Sequence, residues 1–365
     1  MAPRLRCLRQ SFMTPTAPSS PFRRRLLRAA LATGLLGGAA PLAARAADRR
    51  RILMITYRGR TEVEDGFLEY LRAQGREPDI VHRDVGQDIR RLPAILDEIP
   101  GLAPDLIYTW GTPVTLGVAG SWRHPDPSGK VGGIPVVFAL VSAPVAAGIV
   151  PSLTRQGRGI TGAVHVVPTE TQVKAMAAYR EFGKVGLLYS TTEPNSRAIA
   201  AEMDALCAAT HRTAIHRHFL LDASGRPSAE GLERLVGELR EEGAEWFYLV
   251  PDTFLGTVYD RVIPASIAHR LPTFGATELA VRQYSALTGL ISRYRSVGRL
   301  AAVQAEAILY QGTPAGEIPI ETLKRFALLV NLHTARALGG FYPPIEMLNY
   351  ADVISRAPQP MGRIG

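Results

Sequence analysis

From residue 51 onward, short apolar runs rich in β-branched and aromatic residues alternate with stretches of helical period. This is the pattern of parallel sheets with helices on both faces. Residues 52–57 read as the first strand. The spacing predicts a helix over 62–74, with Val63, Gly66, Phe67, Tyr70 and Leu71 on one face and Gly75 as its stop. A strand over 79–82, a helix over 89–99 interrupted by Pro93, and a strand over 106–110 follow. The run 134–141 is nearly continuous in apolar residues, as in a strand buried on both faces, and Ser142-Ala143-Pro144 ends it. Ligands of open α/β sheets bind just beyond the carboxyl ends of strands, so a pocket is expected at 138–144, with a hinge between two lobes close by.

The alternation then starts again. A crossing over 160–167 leads to strands over 185–189, 214–220, 246–250 and 272–275, separated by helices over 196–210, 229–242 and 254–269. A strand over 288–292, a helix over 297–310, late strands over 318–320 and 326–330 and a helix from 334 complete the chain. The expected fold is α/β with two Rossmann-like lobes and a cleft and hinge between them. Lobe 1 is expected over 47–164 plus 286–317, lobe 2 over 165–285 plus 318–355, and 356–365 as a tail.

Several strand ends carry groups suited to binding. Gly111-Thr112-Pro113 combines a residue for a tight turn, a capping hydroxyl and a proline suited to the first helical position. A helix starting there offers free N–H groups to a carboxylate or phosphate. Asn195, Ser196, Asp252 and Thr253 stand at two further strand-to-helix loops, where simple capping competes with ligand contact.

Residues 1–46 do not fit either lobe. Arg23, Arg24, Arg25 and Arg28 precede an apolar stretch over 29–42, and Ala44-Arg45-Ala46 has the small-x-small pattern of a cleaved export signal. The stretch is short for a membrane span and contains three glycines and a proline. Export to the periplasm with cleavage near Ala46 is expected, by the general secretory or the twin-arginine route. The leader holds eight arginines and no acid, so the formal charge of +9 falls to +1 without it. The basic composition therefore gives no support for nucleic-acid binding. Cys207 then has no intramolecular partner and reads as a core residue.

No GxSxG elbow, P-loop, HExxH or cysteine cluster occurs, and Tyr57-Arg58-Gly59-Arg60 stands where a dinucleotide fold would have its glycine fingerprint. His211, His216 and His218 lie close in sequence, but without a neighbouring acid or cysteine they read as solvated rather than as metal ligands. Neither catalysis, a cofactor nor a metal is expected.

Ordered blocks over 52–354 resemble the ABC transporter substrate-binding proteins of the tryptophan/tyrosine-binding type, which have the two-lobed type I periplasmic binding fold. They include Gly111-Thr112-Pro113, the run 134–138, Pro144-Val145, Thr161-Gly162 and Glu193-Pro194-Asn195-Ser196. Later come Tyr294 with Gly298-Arg299, Ile318-Pro319-Ile320-Glu321 and the run 331–339. The resemblance implies a ligand between the lobes, touched by Tyr57, Arg58, Gly111, Thr112, Phe138, Ser142, Asn195, Ser196, Asp252, Thr253, Thr277 and Tyr294. Trp110 joins Tyr57, Phe138 and Tyr294 as a candidate for sandwiching a planar or apolar ligand. The implied partners are a small molecule and an inner-membrane permease, with the protein a monomer; a membrane sensor kinase is the alternative recipient. A DNA-binding repressor of this fold would need a helix-turn-helix where the leader stands.

Two positions depart from the family pattern. Ala143 replaces an aspartate that many relatives carry before the proline, and Arg293 replaces an acid beside the late tyrosine. With acids missing and Arg293 and Arg295 present, an anionic or carboxylated ligand is expected more than a plain amino acid.

Overall fold

The strands expected from the apolar runs assemble into two sheets, one of six strands and one of seven, each the centre of a lobe. The computed structural model describes residues 49–154 and 156–355; the expected leader (1–46) and tail (356–365) lie outside the described residues. In the first sheet the order is Glu321–Thr322, Ile160–Val164, Val136–Val141, Leu106–Trp110, Arg51–Thr56 and Asp79–Asp84, all parallel. In the second it is Asp352–Ile354, Ala327–Asn331, Thr288–Ile291, Thr273–Gly275, Trp246–Leu249, Lys184–Tyr189 and Thr213–His218. Thr288–Ile291 and Ala327–Asn331 run antiparallel, and the other neighbours are parallel.

The continuous apolar runs have a direct cause. Side chains alternate across a strand, and here both faces are covered. Ile52 and Met54 enter one core of lobe 1 while Leu53 and Ile55 enter the other. In lobe 2, Trp246 and Tyr248 face one way and Phe247 and Leu249 the other. Cys207 is buried in the first of these lobe 2 cores.

The chain passes between lobes at 165–168, at 292–293 and at 323–326, and these crossings correct the expected boundaries. Thr288–Ile291 was expected in lobe 1, yet it pairs with Ala327–Asn331 in the second sheet. Residues 318–320 were expected as a lobe 2 strand, whereas the strand is Glu321–Thr322, parallel to Ile160–Val164 in the first sheet. The first crossing, expected over 160–167, comes after Ile160–Val164, which pairs with Val136–Val141 in the first sheet. Pro93 does not interrupt a helix; it stands in the first turn of Leu92–Asp97, where its missing N–H costs nothing. Helices Glu278–Arg282 and strand Asp352–Ile354 were not anticipated.

Two long-separated helices hold lobe 1 together on its outer face. Glu62–Ala73 starts with a capping box, Thr61 accepting from Val63 N at 3.2 Å and Glu64 Oε2 accepting from Thr61 N at 2.7 Å. It packs against Tyr294–Gln311 through Gly66 and Gly298. A β-carbon at Gly298 would stand 1.8 Å from the Val63 carbonyl oxygen, and one at Gly66 would stand 2.0 Å from that of Arg295. Close backbone approach, not turn geometry, requires both glycines. Gly298→Ala should therefore destabilise the protein by about 2 kcal/mol or more through overpacking, whereas Gly101→Ala, with nothing within 4 Å of its β-carbon, should change stability by less than about 0.5 kcal/mol; urea unfolding of both variants checks this.

Candidate ligand-binding cleft

Residues of both lobes converge where the strands of the two sheets end. Leu106–Trp110 runs straight into the helix Gly111–Ala119, and Lys184–Tyr189 is followed by Pro194–Ala209. Neither helix has a side-chain cap at its N-terminus, and Thr112 and Asn195 in their first turns line one shared cavity. That cavity is also walled by Arg58, Trp110, Leu140, Ser142, His165 and Tyr294 from lobe 1 and its crossings, and by Asp252, Thr253, Tyr259 and Thr277 from lobe 2.

Arg58 bridges the lobes. Its guanidinium donates to the Gly256 carbonyl at 3.3 Å and the Thr253 carbonyl at 3.5 Å and lies 5.0 Å from the Trp110 ring centroid. A second link runs from Ser142 Oγ to the Pro251 carbonyl at 3.5 Å. Five buried polar atoms around the cavity have no hydrogen-bond partner among the described residues: Arg58 Nε, Trp110 Nε1, Asn195 Oδ1, His165 Nδ1 and Thr277 Oγ1. The Asn195 amide nitrogen, in contrast, donates to the Pro251 carbonyl at 3.1 Å.

Two carboxyl groups lie at the lobe 2 side. Asp252 accepts from Ser190 N at 2.9 Å and Leu255 N at 2.8 Å. Glu193 accepts from Thr253 N at 3.0 Å and Phe254 N at 3.1 Å. Burial raises both, and each carboxylate adds to the other's cost of ionisation, so that Glu193 is pushed up to about 8. Burial also lowers His165 to about 4, leaving it neutral at physiological pH, and raises Tyr57 and Tyr294 to about 12.

The family model for ABC transporter substrate binding protein matches residues 52–353. The chain belongs to this family. A curated relative, the tyrosine-binding protein of Clostridioides difficile, is 23% identical over 288 residues, covering 76% of each chain. Two solved structures share the fold. A conserved domain protein from Vibrio cholerae has a TM-score of 0.72 at 20% identity, covering 84% of this chain and 99% of its own. A Streptococcus pneumonia domain in complex with L-Trp has a TM-score of 0.71 at 17% identity, covering 84% and 100%. The fold is thus that of the type I periplasmic binding proteins.

Within this substrate-binding protein, eight of the expected contacts line the shared cavity: Arg58, Thr112, Ser142, Asn195, Asp252, Thr253, Thr277 and Tyr294. Four do not. Phe138 is fully buried in the lobe 1 core, its ring filling the space that Gly162 leaves. Its strand reaches the cavity through Leu140 instead, at a bulge where the register shifts and Leu140 adopts a φ of 55°. Ser196 is fully buried and supports the Asp252 carboxylate. Gly111 lies beneath the cavity, where its carbonyl accepts from Thr115 Oγ1 at 2.7 Å, and Thr112 is inside the helix and does not cap it. Tyr57 stacks on Trp110, donates to the Gln87 carbonyl at 3.1 Å and lines a neighbouring chamber.

The arginines singled out for an anion are engaged elsewhere: Arg293 with Asp352, Arg295 with Glu69. Arg58 is the cation that faces the cavity. His216 and His218 are on the strand Thr213–His218, not in a solvated loop; His216 pairs with Asp204 at 2.7 Å and His218 lies edge-on to Tyr189. Sequence inspection missed Leu140, His165 and Tyr259, for which no local signal exists. Glu193 sat within a recognised block without being assigned a role.

The Glu193 and Asp252 pair makes a pH prediction. An acid whose folded pKa is raised leaves the native state holding the extra proton between the unfolded value near 4.5 and the folded value of about 8. Stability from this group is complete at low pH and declines as pH rises through that window. The melting temperature should fall from pH 5 to 8, and Glu193→Gln should flatten the decline; melting curves across that range measure it.

Proposed function

We propose that the protein is a periplasmic solute receptor of an ABC importer, which binds a small carboxylate-bearing molecule between its lobes, closes on it by hinge motion and delivers it to an inner-membrane permease. No reaction is involved. The observation that carries this reading is the convergence of Arg58 Nε, Trp110 Nε1 and Asn195 Oδ1, buried and unpartnered, on one cavity built by both lobes. Buried polar groups are ordinarily satisfied, so such a cluster fits a ligand that supplies the missing partners.

The polarity of the cluster favours a carboxylate. Arg58 Nε and Trp110 Nε1 are donors, the first on a cation, the Thr277 hydroxyl can donate as well as accept, and two uncapped helix N-termini add positive potential from opposite lobes. Asn195 Oδ1 offers one acceptor to a ligand N–H, whereas Asp252 and Glu193 are already occupied by backbone donors. An amino acid or an aromatic carboxylic acid fits this set, in keeping with the tyrosine and tryptophan named for the relatives. The anionic preference expected from Arg293 is thereby retained, with Arg58 as its cause.

Calorimetric titration of the purified protein with aromatic amino acids, aromatic acids and dicarboxylates tests the proposal. Binding of a carboxylate is expected, and Arg58→Ala should weaken it roughly tenfold to a hundredfold. Loss of no affinity in that variant, or no binding across the panel, would overturn the assignment.

A further inference from the structure

We infer that the ligand has two parts, a carboxylate head in the Arg58 cavity and an elongated apolar body, alkyl or aryl, in a second chamber beside it. This rests on the proposed function and extends it to the shape and chemistry of the solute.

The volumes are the first argument. The Arg58 cavity holds about 40 Å³, room for a few water-sized groups and so for a carboxylate but little more. The neighbouring chamber holds about 670 Å³, within the ordinary range of small-molecule sites. Thr112 and Asn195 line both spaces, so they meet at the two helix N-termini. The proposed body extends from the Arg58 cavity past these two residues into the larger space.

The walls are the second argument. Both lobes contribute apolar surface to the chamber: Tyr57, Ile89 and Leu116 from lobe 1, Pro194, Pro227 and Phe254 from lobe 2. Ile89 is 38% exposed, large for an isoleucine facing a chamber between lobes. The charged groups in the lining are already matched, Asp88 by Arg90 at 2.6 Å and Asp222 by Arg226 at 2.8 Å. Glu193 accepts from Thr253 N and Phe254 N, and the unpartnered Asn195 Oδ1 stands where the chamber meets the Arg58 cavity. A third space of about 360 Å³ shares Arg58, Trp110, Gly256, Leu279 and Tyr294 with the cavity. Its charged groups include the pairs Arg60 with Asp65 and Arg282 with Glu278, and with Glu62 beside them it is the more highly charged of the two spaces and the less suited to an apolar body.

The test is a homologous series of carboxylates: acetate, butyrate, hexanoate and octanoate, then phenylacetate, 4-phenylbutyrate and 6-phenylhexanoate, titrated calorimetrically into the intact protein. Affinity should rise severalfold with each added methylene that enters the chamber, so that octanoate binds at least tenfold tighter than butyrate. Ile89→Asn and Leu116→Asn should each reduce that dependence on length while leaving acetate binding unchanged; Ile89 is exposed enough that its variant keeps the test open if Leu116→Asn folds poorly. Gln283→Leu, in the lining of the third space, should leave the dependence as it is. Carboxylate binding with no dependence on length, or a dependence altered by Gln283→Leu and not by the chamber variants, would overturn the two-part ligand and leave the receptor reading standing. Failure of every carboxylate to bind would overturn both.

Discussion

A single guanidinium placed between two lobes is the contact on which the cleft depends. Arg58 leaves the end of the first strand of lobe 1 and finds its acceptors on the carbonyls of Thr253 and Gly256 in lobe 2. Gly256 gives it room, since a β-carbon there would stand 2.9 Å from a guanidinium nitrogen. The loop it touches is fixed in turn by Glu193 and Asp252, which accept the backbone N–H groups of Ser190, Thr253, Phe254 and Leu255. The acids are therefore scaffolding for the acceptors of Arg58, and the partners they leave it are two neutral carbonyls, not a carboxylate. A cation held only by neutral acceptors, with one nitrogen unmatched, keeps most of its capacity for an anion.

Much of this fold was legible because its physics is local. Leu106–Trp110 and Val136–Val141 read as strands from their unbroken apolar runs, and those runs exist because helices cover both faces of the sheet. The helix at Glu62–Ala73 was legible through its apolar face and its stop. What stayed hidden depends on partners far away in the chain. Nothing in Thr288–Ile291 says that it will pair with residues near 330, and nothing in Glu321–Thr322 says that it will return to the sheet of residues 160–164.

The same distinction separates the expected contacts that line the shared cavity from those that do not. Residues at strand-to-helix junctions, such as Thr112, Asn195 and Asp252, were found because the junction itself defines the cleft. Phe138 was misjudged because it precedes the bulge and keeps its place in the lobe 1 core, while the bulge takes Leu140 out of the alternation and into the cavity wall. Arg293 and Arg295 looked free because their acids, Asp352 and Glu69, are 59 and 226 residues distant.

These observations also bear on why the lobes should close around a solute. Arg58 Nε, Trp110 Nε1, Asn195 Oδ1, His165 Nδ1 and Thr277 Oγ1 are buried with no hydrogen-bond partner among the described residues, and a buried polar atom left unpaired costs about 1–3 kcal/mol. The direct links across the cleft, two from Arg58 and one from Ser142, are long at 3.3–3.5 Å and repay little of that. In the proposed closure, a ligand that satisfies three of these atoms would remove roughly 3–9 kcal/mol of that penalty. Reversing a population from 1:99 to 99:1 takes about 5.5 kcal/mol of differential affinity. Under the proposed function, a solute that pairs with these atoms would supply differential affinity of that size, and the polar atoms that recognise it would also make closure conditional on it.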